Sequence, residues 1–258
     1  MTGRRGSPEP RIANRILRSL KPAVYEQVLP HLEPIQFPLE MVIYNPGDVF
    51  DFVFFPNNGV LSMLTVLDNG DIVEIATVGN EGMADMSVFL GLRTSSSRLL
   101  CQVPSDTLRI PTATFVELVE ELPGFREALG GYMISMFLLV SQNAACNRLH
   151  SLDRRCARWI LMTHDRVDAD FFPLTQEFLA SMLGVRRPSV SAVARKLQEA
   201  GLVHYSRGRM TVIDRNGLEA TACECYALIR DQFDRMPGGG VTRTGRRRLS
   251  SGLEAQEP

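Results

Sequence analysis

The spacing of apolar positions changes along the chain, and each change marks a different kind of element. In residues 11–32, Ile12, Ile16, Leu17, Leu20, Val24, Val28 and Leu32 recur at helical intervals, and Pro22 and Pro30 cut the run into short helices. From Ile35 to Ile110, short runs of Val, Ile, Phe and Leu alternate with turn signals. These lie at Asn45-Pro46-Gly47-Asp48, Pro56-Asn57-Asn58-Gly59, Asp68-Asn69-Gly70-Asp71 and Gly79-Asn80-Glu81-Gly82. Strands at such even spacing predict a small antiparallel barrel or roll.

Helical spacing returns at Thr112, with Phe115, Leu118, Val119 and Leu122 on one face before Pro123-Gly124. A long proline-free segment follows, from Phe125 to about His150. There Leu129, Tyr132, Met136, Leu139, Asn143, Cys146 and His150 alternate steps of three and four, a heptad-like seam. The middle of this segment, Tyr132 to Val140, is apolar nearly all round, which predicts cover on more than one side, from a partner helix and from the roll. An ordinary buried core helix would give the same pattern. Leu152 to about His164 reads as a further amphipathic helix carrying Trp159, and Val167-Asp168-Ala169-Asp170 as a loop. The Gly-, Arg- and Ser-rich stretch from Pro237 to Pro258, with Arg246-Arg247-Arg248, is expected to be disordered. The expected division is therefore 1–34 helical, 35–122 roll, 123–151 long helix, 152–236 C-terminal domain and 237–258 tail.

Composition adds little until it is resolved by position. A hydrophobic share of 45% and a charged share of 22% suit a globular protein with a core, and the net charge of −1 alone argues against a nucleic-acid partner. Its distribution reverses that. Between His31 and Leu122 only Arg93, Arg98 and Arg109 are basic, against thirteen Asp and Glu. Between Thr175 and Arg215 seven basic residues (Arg186, Arg187, Arg195, Lys196, Arg207, Arg209 and Arg215) face three acidic ones, Glu177, Glu199 and Asp214. Such a split suits a sensor half joined to a nucleic-acid-binding half. Residues 1–10 are polar and basic with no apolar stretch behind them, and the run Tyr132 to Val140 is too short for a bilayer, so neither a secretory signal nor a membrane partner is expected and the chain reads as cytoplasmic. The five cysteines, Cys101, Cys146, Cys156, Cys223 and Cys225, read as dispersed small buried hydrophobes. Cys223 and Cys225 stand too close for a usual zinc pair, so no metal site is expected.

The most specific signal lies within that basic segment, from Gln176 to Arg195. Thr175 can cap a first helix, with Glu177 at its positive end and Phe178, Leu179, Met182 and Leu183 as the buried face. Ala180 is small where a second helix must cross. Gly184 stands where the chain must turn with positive φ. Pro188 is tolerated in the first turn of a second helix, which Val190, Val193 and Leu197 pack onto the first. These placements together predict a helix-turn-helix. Val203 to Ile213 then reads as a hairpin turning at Ser206-Arg207-Gly208-Arg209, a basic wing, and Asp214 as the cap of one last helix carrying Leu218, Ala222, Cys225, Ile229 and Phe233. An arginine at the leading end of a groove-docked helix can donate two hydrogen bonds to guanine, so Arg187 is the first candidate for base contact, with Ser189 and Ser191. Thr175, Gln176, Arg186, Arg195, Lys196, Arg207 and Arg209 are candidates for phosphates. No hydrolase, metalloprotease, phosphate-loop or dinucleotide-loop motif occurs, and the four histidines are scattered, so no enzyme is expected.

With those residues placed, residues 15–232 resemble the Crp/Fnr family of bacterial regulators. The resemblance is carried by Tyr44-Asn45-Pro46-Gly47-Asp48, the turn glycines Gly59, Gly70 and Gly82, the long helix, and Leu174-Thr175-Gln176-Glu177 with Gly184, Arg187 and Val190. It implies an α+β protein with an antiparallel β-roll sensor, a long dimerisation helix and a winged helix-turn-helix. It further implies a homodimer on palindromic double-stranded DNA, with RNA polymerase as a further partner. Arg187 matches the family's guanine-reading arginine, but the glutamate usual beside it is Pro188, and a later base-contacting arginine falls on Ala192. The family's nucleotide pocket departs further. Its Gly-Glu and Arg-Ser pairs fall on Ala84-Asp85 and Ser95-Ser96, with Arg93 the nearest substitute cation and Gln142 and Asn143 facing from the long helix. A buried phosphate without a cation is costly, so a cyclic nucleotide is not expected. No cysteine precedes Cys101, which argues against the family's iron–sulfur cluster, and no haem is expected. The competing reading is a ligand-binding or protein-interaction module whose helix-turn-helix does not read DNA.

Overall fold

The computed structural model describes residues 12–236. The expected disordered tail and its arginine run lie outside the described residues, as do residues 1–11. Two short helices, α1 (Arg15–Ser19) and α2 (Pro22–Val28), lead through a tight 3-10 turn into the strands β1 (Glu33–Phe37), β2 (Val42–Tyr44), β3 (Phe52–Pro56), β4 (Val60–Val66) and β5 (Ile72–Val78). A one-turn helix, α3 (Met86–Phe89), precedes β6 (Arg98–Val103) and β7 (Ser105–Pro111). Helices α4 (Thr112–Glu121), α5 (Pro123–Leu149) and α6 (Leu152–His164) follow. The remainder is β8 (Phe171–Pro173), α7 (Gln176–Leu183), α8 (Arg187–Glu199), β9 (Val203–Ser206), β10 (Arg209–Val212), α9 (Arg215–Thr221) and α10 (Cys225–Asp234).

The roll consists of two antiparallel sheets, in orders β1-β7-β3 and β2-β6-β4-β5. Its turns use backbone geometry that the sequence specifies. At Gly59, φ is +71°, and a Cβ there would lie 2.3 Å from the Pro104 carbonyl oxygen, so only glycine fits between β3 and β4. Inside, Phe55, Phe115 and Phe125 bring a strand, α4 and α5 onto one aromatic contact, with Phe115 and Phe125 edge-on at 5.8 Å. Buried Asn14 caps α1 by accepting from the Leu17 amide, and its own amide donates to the carbonyls of Pro56 and Gly82, pinning the N-terminal helices to the roll.

Three expectations are refined. The seam on α5, expected to be covered by a partner helix and the roll or else to belong to an ordinary core helix, is buried within the protomer at Leu129, Tyr132, Met136, Leu139 and Cys146, and Asn143 donates to the Ile75 carbonyl of β5. The period reports that a face is apolar, not which neighbour covers it. The uncovered face is a separate stripe in which Ile134 and Phe137 are 61% and 71% exposed. By length and composition this 27-residue helix would also cross a membrane, although its apolar middle alone is too short. Of its most apolar stretch, 33% is buried inside the protein. Second, the single last helix is two, because the chain breaks at Ala222-Cys223-Glu224 after Asp214 caps α9 through the Gly217 amide. Third, the wing has three strands, ordered β8-β10-β9. The three-residue β8 is too short to leave a period in the sequence.

Helix α6 docks the C-terminal domain on the roll through polar contacts. Arg166, just beyond α6, meets Glu81 at 2.7 Å with both side chains almost wholly buried. Burial acts to raise the Glu81 pKa, but the guanidinium beside it holds the carboxylate below its usual value. The Trp159 indole donates to Glu74 at 2.8 Å, and Gln102 donates to Thr163 at 3.0 Å. The Ser62 hydroxyl lies 2.9 Å from Glu74 and 2.7 Å from the Gln102 amide oxygen, one proton between two acceptors. A protonated Glu74 resolves this by donating to Ser62. Burial pushes its pKa up to about 7, against lowering by Ser62, Trp159, Arg158 and Arg166.

Candidate nucleic-acid interface

The helix-turn-helix is built as its local sequence requires. Thr175 accepts from the Phe178 amide at 3.1 Å, capping α7. Gly184 ends it in the left-handed conformation at φ +63°, and its amide and that of Val185 close the turn onto Ser181 and Ala180. Arg155 of α6 donates to the Leu183 carbonyl at 2.7 Å, tying the end of α7 to the domain's first helix. Leu179, Ala180, Met182 and Leu183 are buried against Val190, Val193, Ala194 and Leu197 of α8, with Phe178 half-buried at the edge. Burying each large side chain contributes on the order of 1.5–3 kcal/mol, so the crossing of α7 and α8 is firmly set.

What α8 leaves outside is a shallow groove lined by Arg187, Pro188, Ser191, Ala192 and Arg195. These positions follow helical spacing along one face opposite the buried valines. Arg187 is 64% exposed at its side chain and reaches Glu177 only at 3.8 Å. Ser191 donates to Gln176 and lies 3.1 Å from the Arg187 carbonyl, which engages both Ser191 and Gln176 within the protein. Ser189 is exposed but is not among the residues lining the groove. Lys196 pairs with Asp153 at 3.5 Å and Arg195 with Glu199 at 4.0 Å, both at the surface. Arg186 is exposed just before α8.

In the wing, Arg207 sits at the tip with φ +50° and Arg209 lies over the Phe171 ring at 4.2 Å from its centroid. Arg215, counted in the basic excess, turns inward instead. It bonds Asp165, Glu219, His164 and the Tyr226 hydroxyl, which in turn donates to Asp165. Its contribution is to the fold of the domain.

The residues expected around an effector are held by different partners. Ala84 pairs with Phe54 and is buried. Asp85 is buried at φ +68°, one carboxyl oxygen has no hydrogen-bond partner, and burial pushes its pKa well above the usual carboxylate range. Arg93 and Ser96 are exposed, while Ser95 is buried and donates to the Ser97 carbonyl. Gln142 donates to Cys225 at 3.0 Å, and Asn143 accepts from Arg158. Among the described residues no hydrogen bond joins one of these three groups to another. The cysteines need a correction too: Cys146, Cys223 and Cys225 are not dispersed but gather around His150. The available signal was Cys146 and His150 one helical turn apart. The partner half of the cluster is 77 residues distant from Cys146, where no local pattern reaches.

Residues 154–221 match the family model of the Crp-like helix-turn-helix domain. The chain is 24% identical over 200 residues to the transcriptional activator protein FnrA of Stutzerimonas stutzeri, covering 70% of this chain and 76% of that one. Among solved structures, it is similar to the c-di-GMP-responsive global regulator CLP of Xanthomonas campestris, with a TM-score of 0.60 and 16% identity over 74% of this chain and 99% of that one. It is also similar to TTHB099, a transcriptional regulator of the CRP family from Thermus thermophilus, with a TM-score of 0.62 and 17% identity over 73% of this chain and 96% of that one. The likeness to the two structures establishes the fold: an antiparallel roll, a long helix and a C-terminal helix-turn-helix.

Proposed function

We propose that the chain is a transcription regulator of the Crp/Fnr family that works as a homodimer reading a two-fold-symmetric DNA site through α8. Residues 35–122 serve as the sensor, 123–151 as the dimerisation helix and 152–236 as the DNA-binding domain. Dimerisation uses the bare stripe of Ile134 and Phe137 on α5 rather than the inward seam. Two α8 helices then enter successive major grooves about 34 Å apart. RNA polymerase is the further partner in this reading, the protein has no catalytic task, and it acts in the cytoplasm.

The observation that carries this reading is Arg187. It stands in the first turn of α8, solvent-exposed, on a face whose other members are Pro188, Ser191, Ala192 and Arg195, with no carboxylate among them. A guanidinium so placed offers a fork of donors to guanine O6 and N7. Arg195 and the wing-tip Arg207 flank it as phosphate contacts, joined by Thr175, Arg186, Lys196 and Arg209. Ser189 and Gln176 hold secondary places, since neither lines the groove.

Fluorescence anisotropy on palindromes selected from a random pool tests the assignment. Arg187→Ala is expected to erase the preference for one base pair per half-site while leaving non-specific binding near its original level. Equal loss on every sequence overturns the role of Arg187. An absence of DNA binding even at low salt overturns the regulator in favour of a module that binds protein.

A further inference from the structure

We propose that Cys146, His150, Cys223 and Cys225 form a mononuclear metal site, built for a tetrahedral thiolate-preferring cation of the zinc type, which fastens the end of α5 to the junction of α9 and α10. The four ligand atoms, three sulfurs and one ring nitrogen, all lie within 4.8 Å of one another. Cys146 and Cys223 sulfurs are 3.5 Å apart, and the Cys225 sulfur is 3.5 Å from His150 Nδ1. A zinc–sulfur distance of about 2.3 Å requires tetrahedral edges of about 3.8 Å between sulfurs, and slightly less from sulfur to nitrogen. Ligands that must span a multi-iron cluster stand farther apart than that, so the spacing selects one ion.

The surroundings supply what such an ion needs. His150 Nε2 lies 3.1 Å from the Glu224 carboxylate. A proton on Nε2 shared with Glu224 leaves the Nδ1 lone pair directed at the thiols, the carboxylate–histidine–metal arrangement that fixes a ligand's tautomer. Gln142 donates to the Cys225 sulfur at 3.0 Å, a bond that favours a thiolate. The three cysteines are buried as a cluster of their own, apart from the main aliphatic core. Beside them stand two arginines whose Nε atoms are buried and lack any hydrogen-bond acceptor, Arg155 and Arg158. Three thiolates and a dication carry a net charge of −1, which answers those cations. Thiols bind such an ion as thiolates, so loading must displace their protons. The balance is simple: three S–H bonds are lost, three protons pass to solvent, three metal–sulfur bonds and one metal–nitrogen bond form, and nothing is oxidised. The break at Ala222-Cys223-Glu224 is what lets two cysteines only two residues apart reach one point, since Cys225 already begins α10. Cys146 and His150 close α5 immediately before Ser151, where the chain turns into α6. A bound ion therefore bridges that turn, and it is independent of whether α8 reads DNA.

The reduced full-length chain, stripped by chelator, should take up one equivalent of Zn2+ per protomer by elemental analysis after dialysis. Co2+ added to the wild-type protein should give the intense thiolate-to-cobalt charge-transfer and tetrahedral ligand-field bands of a sulfur-rich site, a readout that needs no variant to fold. Cys223→Ser and Cys225→Ser should each weaken metal binding at least about 100-fold, and Glu224→Gln about 10-fold. Cys101→Ser and Cys156→Ser, outside the cluster, should bind as the wild type does. A cobalt spectrum of octahedral, oxygen-ligated type overturns the site. So does a metal content unchanged by Cys223→Ser, or a reduced chain that binds no Zn2+ and only forms a Cys146–Cys223 disulfide on oxidation.

Discussion

Two arginine–glutamate pairs in this molecule share their chemistry and differ in everything else. Arg166 and Glu81 meet at 2.7 Å with side chains 7% and 6% exposed, between α6 and the roll. Arg187 and Glu177 face each other at 3.8 Å with side chains 64% and 73% exposed, on the helix-turn-helix. In the first pair each ion has lost its water and depends on the other. In the second, water and salt already satisfy both, and the pair is worth little. A charge meant for an external partner has to be of the second kind. The contrast separates arginines that hold the fold, among them Arg166 and Arg215, from those free to meet a ligand.

The largest test breaks the buried pair. Arg166→Met or Glu81→Ala should lower unfolding free energy by about 3–5 kcal/mol in urea titrations, because a buried ion is left alone. A loss below about 1 kcal/mol would place both pairs in one class. Next, Arg187→Ala should leave that stability unchanged within about 0.5 kcal/mol, yet cost about 1–3 kcal/mol of discrimination at one base position. A smaller effect is expected at Glu74. Its pKa is about 7 in the folded protein against 4.5 ordinarily, so the folded state holds a proton that the unfolded chain has released. Its stabilisation is complete below pH 4.5, declines between pH 4.5 and about 7, and is absent above. Glu74→Gln should therefore raise stability by up to about 3 kcal/mol at pH 8, with little change at pH 4.5, as thermal melts across that range would record. Smallest of all, Lys196→Ala should weaken every DNA sequence alike and flatten the salt slope by about one, its surface contact with Asp153 counting for almost nothing in stability.

The same contrast explains what was readable in advance. The recognition helix was legible because its determinants are local. Thr175 caps three residues ahead, Gly184 takes the one conformation that glycine adopts freely, and Val190, Val193 and Leu197 repeat at helical spacing. The roll was legible from its turns. The docking of α6 was not, since Glu81 and Arg166 stand 85 residues apart and each alone reads as a surface charge. Likewise the seam of α5 was found without showing which neighbour covers it, and the cysteine–histidine cluster was missed because Cys146 and Cys223 stand 77 residues apart. Local patterns specify elements, while contacts between distant polar groups are decided only when the elements meet.

The Glu81–Arg166 pair also constrains how the protein can diverge. Replacing either residue alone is expected to strand a buried ion, yet an apolar pair of matching volume would serve as well or better. Descendants can cross from one solution to the other only by two nearly simultaneous changes in distant codons. The two sites should therefore vary together or not at all, a historical lock set by dehydration rather than by any task the protein performs.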